Sequence, residues 1–124
     1  MSILNLTQHD ATSEQIQAGV VEPADKAAVR AALSFEELPS SSVLKTRAET
    51  LAVFARQMGH KSAMIGGAPF FMGALEKELI KFGIKPLYSF FSYAPNKERY
   101  NSDGCKETIK VFKHTGFIGL DYTI

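Results

Sequence analysis

The run Ala63-Met64-Ile65 stops at Gly66-Gly67-Ala68-Pro69, and an amphipathic helix opens behind the proline. An earlier run, Ile3-Leu4-Asn5-Leu6, stops at Thr7-Gln8-His9-Asp10 and leads into another helix signal. Both read as strand, small or polar loop, helix. In an open α/β sheet the carboxyl ends of the strands are where ligands bind, so these two loops define the expected fold and the first place to look for a site.

Around these two units the chain alternates. Residues 3–8 read as a buried strand, and Thr12-Ser13-Glu14-Gln15 has the spacing of a capping box, with Glu14 as a first-turn acidic residue. Gly19 cuts that helix short, and Val20-Val21 is either a strand fragment or a core plug. Pro23 suits the first turn of a helix carrying Ala27, Ala28, Ala31, Ala32 and Leu33. Residues 34–42 form a loop whose serines can cap the helix over 43–58. There Leu44, Ala48, Leu51, Ala55 and Met58 recur at helical spacing and Gly59 closes the segment.

A second strand over 61–65 precedes the glycine pair. The helix behind it places Phe71, Leu75, Leu79 and Phe82 on one side and stops at Gly83. A third strand covers 86–93. Asp103-Gly104 is a hairpin signal joining the polar run 97–102 to a strand over 106–114, which 116–119 extends or follows. The expectation is one α/β domain over 1–124, with parallel strands, helices and a C-terminal antiparallel hairpin.

Composition narrows the function. Fourteen basic and thirteen acidic residues leave a net charge of +1, which offers no bulk field for a nucleic-acid polymer or a membrane surface. No apolar stretch approaches the roughly eighteen residues of a membrane span. Cys105 is the lone cysteine and cannot form an internal disulfide; with no secretory signal at the start, a reducing, cytoplasmic setting is expected. Three scattered histidines and that cysteine give no metal-ligand spacing, so neither metal nor cofactor is expected.

The loops carry the candidate chemistry. Gly66 and Gly67 let the backbone turn sharply and approach a ligand, and the following helix offers N–H groups to an anion; alternatively they serve close helix–sheet packing. No Walker loop and no GxGxxG fingerprint occurs. Thr7, Gln8 and His9 bring a hydroxyl, an amide and an imidazole to one point, and His9 is the candidate acid–base group. Their alternative role is to satisfy backbone groups of the turn. Ser92 and Tyr93, at the end of the third strand, are placed on the same rim, with Ser89 behind them. Lys113 and His114 reach it only if the hairpin folds over. No Ser-His-Asp or nucleophilic-cysteine arrangement is legible. Lys97, Arg99, Lys106, Lys110 and Lys113 are interleaved with Glu98, Asp103 and Glu107, as expected of a hairpin charged against edge pairing.

Residues 3–15, which contain LNLTQHDATSEQ, and residues 61–70, which contain the IGGAP loop, resemble short uncharacterised bacterial and prophage proteins. More distantly they are similar to small single-domain members of the CRISPR-associated Rossmann-fold superfamily. The resemblance implies a Rossmann-like domain that binds a cyclic oligonucleotide across a homodimer axis, with metal-independent phosphodiester cleavage in some members. Carried onto this sequence, it places Thr7, Gln8, His9, Gly66 and Gly67 in the ligand pocket. The sequence departs from that pattern in having no Arg or Lys in either loop.

The resulting expectation is binding of a nucleotide or other phosphorylated small molecule by Thr7, Gln8, His9, Gly66, Gly67, Ala68 and Ser92, with any catalysis at His9. The aromatic-rich stretch 70–93 leads to the expectation of a homodimer. The alternative is a non-catalytic protein-interaction module in which the glycines are structural.

Overall fold

The computed structural model describes residues 2–100, 104 and 106–119, with the backbone alone over 93–100 and 106–112. In chain order the elements are β1 (Ile3–Leu6), α1 (Ser13–Gln17), β2 (Val20–Val21), α2 (Lys26–Leu33), α3 (Ser41–Gln57), β3 (Ser62–Ile65), α4 (Pro69–Lys81), β4 (Lys85–Tyr100) and β5 (Lys106–Gly119). They form one five-stranded sheet in the order β2-β1-β3-β4-β5. The first three pairings are parallel and the last is antiparallel, the expected α/β architecture.

Alternation along the strands divides the core. Leu4, Leu6, Ala63 and Ile65 face one side, where they pack against Val29 and Leu33 of α2, Ala48, Leu51, Ala52 and Ala55 of α3, and Phe71, Leu75 and Leu79 of α4. The small alanines of α3 let it lie close against α4. On the other side Ile3, Val20, Met64 and Leu87 form a smaller cluster with Ala11 and Phe117. Val20-Val21 is thus an edge strand with Val20 plugging that cluster, which joins the two readings of the dipeptide.

Several boundaries differ from the sequence expectation, each for a local reason. β1 ends at Leu6 because the Asn5 side chain takes the Thr7 N–H (3.0 Å) and Lys26 takes the Thr7 carbonyl (2.8 Å). Pro23 stands outside α2, whose cap is Asp25, its carboxylate accepting from the Ala28 N–H (3.0 Å). α3 begins at Ser41, capped by Ser40. The capping box at Thr12 forms in full, Thr12 and Gln15 satisfying each other's backbone N–H. β4 runs seven residues past the expected end at 93, because β5 supplies ladder partners as far as the Tyr100–Lys106 pair. Segment 116–119 extends β5.

Candidate functional site

The connection from β1 goes to β2 on one side of it, and the chain then crosses to β3 on the other. β1 and β3 are adjacent and parallel, so their C-terminal loops part in opposite directions and leave a crevice at this switch of strand order. The crevice has a volume of about 440 Å³. It is walled by residues 7–10 on the β1 side, Gly66 and Gly67 on the β3 side, Thr12 and Gln15 of the α1 region, and Met64, Tyr88, Ser89 and Phe91 of the sheet. A larger hollow of about 590 Å³ lies against the loop between α2 and α3, away from the strand ends, with Glu36 and Glu37 among its lining.

The two loops nearly touch: a Cβ on Gly66 would meet Thr7 Cγ2 at 3.6 Å. Gly67 has φ +148°, backbone that L side chains seldom adopt. α4 then starts at Pro69 from Ala68, which makes no side-chain cap, whereas α1, α2 and α3 are all capped by side chains.

The loop after β1 is built on a buried polar network. Asn5 is fully buried. Its amide N–H donates to the His9 carbonyl (2.8 Å) and to Glu22 (3.0 Å), while its carbonyl accepts from the Thr7 N–H and hydroxyl (3.0 and 2.6 Å). Lys26 Nζ donates to the carbonyls of Thr7 and His9 (2.8 and 2.9 Å) and to Glu22 (3.0 Å), which also accepts from the Ala11 N–H (2.7 Å). Burial pushes the Glu22 carboxyl up, but these hydrogen bonds together with the Lys26 charge outweigh it and hold the group below its ordinary value. Arg30 donates to the Gln8 carbonyl (3.1 Å). The cations missing from the loops are therefore supplied by α2, and they bind the loop's own carbonyls.

This decides how each expected residue is used. The Thr7 hydroxyl is turned into the loop, and the Gln8 amide donates to Ser34 (2.9 Å). The exposed His9 ring has no hydrogen-bond partner among the described residues. Two of the expected residues stand apart from the crevice. Ala68 packs against the main core and does not line the crevice. Ser92 lies beyond the rim and bonds to Thr115 (3.3 Å). Since Met64 pairs with Leu87, the end of β3 lies level with Tyr88 and Ser89, and the extra length of β4 carries Ser92 past it. The Tyr93 side chain, those of Lys97, Arg99, Lys106 and Lys110, and Cys105 lie outside the described residues.

On the β4 side a second cluster forms. Gln15 Nε2 donates to Ser89 Oγ (3.0 Å), and Ser89 Oγ is also hydrogen-bonded to His114 Nδ1. Because Gln15 Oε1 already accepts from the Thr12 N–H, the amide is fixed with its nitrogen toward Ser89. His114 is buried between the rings of Phe91 and Phe117, with centroids at 6.0 and 4.6 Å. Burial pushes its pKa down, partly opposed by the Glu14 carboxylate, which leaves the ring neutral at neutral pH.

Sequence reasoning missed Asn5, Glu22, Lys26 and the Ser89–His114 pair. An asparagine inside the apolar run 3–6 was a usable signal, because a buried amide needs partners. The Ser89–His114 pair had none, since it depends on hairpin register.

The family model of the uncharacterized protein MJ1673 family matches residues 1–118, and the chain belongs to that family. No curated protein and no solved structure matches it.

Proposed function

We propose that this member of the MJ1673 family binds a nucleotide, or another phosphorylated small molecule, in the crevice between the β1 and β3 loops. The observation that carries the reading is the crevice itself, at the carboxyl edge of a parallel sheet where strand order reverses. Met64, Tyr88 and Phe91 give it an apolar and aromatic side suited to a base. Gly67 and the α4 start without a side-chain cap give the other side bare backbone suited to a phosphate. His9 stands at the rim as the acid–base group.

A homodimer belongs to the same reading. Beyond Leu87 no third strand pairs with the β4–β5 ribbon among the described residues, and Phe90 and Ile118 are about half exposed. A two-stranded ribbon alone is marginal in water, so a second copy packed on it supplies the missing support. Two crevices brought together suit a cyclic oligonucleotide.

The test is a thermal-shift panel of mononucleotides, cyclic oligonucleotides and inorganic phosphate at millimolar concentration. A ligand at a hundred times its Kd should stabilise the fold by about 2.7 kcal/mol. A panel with no shift would leave the glycines structural and favour a protein-interaction module.

A further inference from the structure

We propose that Ser89 is a nucleophile, with His114 as its general base, and that the crevice cleaves a phosphodiester through a covalent serine intermediate. The inference rests on the phosphorylated-ligand reading and adds a reaction to it. Among the described residues, Ser89 is the one lining the crevice whose hydroxyl is hydrogen-bonded to a histidine ring. The Gln15 N–H occupies one lone pair of Oγ; in the His114 tautomer that carries its proton on Nε2, the Ser89 hydroxyl donates its single proton to Nδ1. A hydroxyl held in this way against a neutral imidazole is the arrangement that makes serine nucleophilic. Gln15, Phe91 and Phe117 hold the pair, so its geometry exists before any ligand arrives.

The lining narrows the electrophile. Among the described residues no lysine or arginine lines the crevice. A phosphomonoester dianion would lack a counter-charge there, whereas a diester carries one negative charge, which bare backbone at Gly66-Gly67 can accommodate.

The step balances. The Ser89 proton passes to His114 Nδ1 as Oγ attacks phosphorus, the Oγ–P bond forms and the bond to the leaving alkoxide breaks. That alkoxide takes its proton from protonated His9, which lines the same crevice with its ring unengaged among the described residues. Water then attacks phosphorus and gives its proton to His9. The Oγ–P bond breaks, and His114 returns the proton to Ser89. Two histidines in opposite roles exchange them between the half-reactions.

The test treats the full chain with an alkyl fluorophosphonate, in which fluoride is the leaving group, and locates the adduct by peptide mass spectrometry. One adduct per chain on Ser89 is expected. The rate should rise with pH through an inflection below the ordinary imidazole value and then level off. Among the described residues the charged group acting on His114 is Glu14, from α1, which opposes the shift; Lys113, its β5 neighbour, acts on Glu14. His114→Asn should slow labelling about a hundredfold, and Ser89→Cys should restore a reactive site toward iodoacetamide if the pair activates whatever nucleophile stands there. Labelling spread over other serines, or a Ser89 rate without that inflection, overturns the proposal even if His114→Asn fails to fold. Nucleotides that still raise the melting temperature when labelling fails would sink the nucleophile and spare the binding site. Ser89 labelling with no nucleotide shift would sink the phosphodiester assignment together with the binding reading.

Discussion

Asn5 contributes to the site without touching its cavity. Its amide carbonyl and N–H groups stand between an acceptor set (the His9 carbonyl and Glu22) and a donor set (the Thr7 N–H and hydroxyl). Asn5→Asp keeps the shape and turns the donor end into a second carboxylate against Glu22. A loss of about 2–4 kcal/mol at neutral pH is expected, because buried hydrogen bonds are replaced by like-charge contact. The sign with pH follows from Glu22. Its depressed pKa in the parent adds stability above the ordinary carboxylate range, lost as pH falls through the folded value. In the variant one of the two carboxyls gains a proton first, so the deficit relative to the parent should shrink on acidification. Urea unfolding at two pH values measures this, and equal stability of variant and parent would show that the network does not hold the loop.

At the scale of elements, α4 carries an inconsistency inside its packing face. Glu78 is 4% exposed among Leu75, Leu79 and the N-terminal turn of α3, and its Oε2 has no hydrogen-bond partner among the described residues. A buried oxygen without a partner costs stability. Glu78→Met keeps length and helix propensity while removing that cost, and should raise stability by about 1–2 kcal/mol. A higher urea midpoint at unchanged slope is the expected readout. A lower midpoint would mean that the carboxylate has a counter-charge in solution, for which Lys45, Lys77 and Lys81 on the same groove are the candidates.

For the whole molecule, the β4–β5 ribbon sets the expectation. β3 pairs with β4 only over Lys85 to Leu87, while β5 follows β4 to its end. Light scattering at micromolar concentration should give twice the 13.6 kDa of one chain. A mass of one chain would remove the dimer, and with it the shared site for a cyclic oligonucleotide, while leaving the crevice of each copy intact.

What the sequence determined by itself is local. The helix start at Thr12, a serine cap ahead of α3, stops at Gly59 and Gly83, and the strand–loop–helix units around Thr7 and Gly66 follow from hydrogen-bonding capacity and backbone freedom within a few residues, whereas the start of α2 at Asp25 in place of Pro23 does not. Those units also brought Thr7, Gln8, His9, Gly66 and Gly67 to one crevice, because parallel strands place their following loops on one edge. The tertiary structure decided the rest. Asn5 needed Glu22 and Lys26 to define its role, and Ser89 met His114 across 25 residues of chain. That meeting depends on hairpin register, which shifts at the irregularities between Phe90 and Phe91 and between Ala94 and Lys97. A one-residue slip turns a strand's side chains to the opposite face, so the wall of the crevice could be fixed only by the folded pairing of β4 with β5.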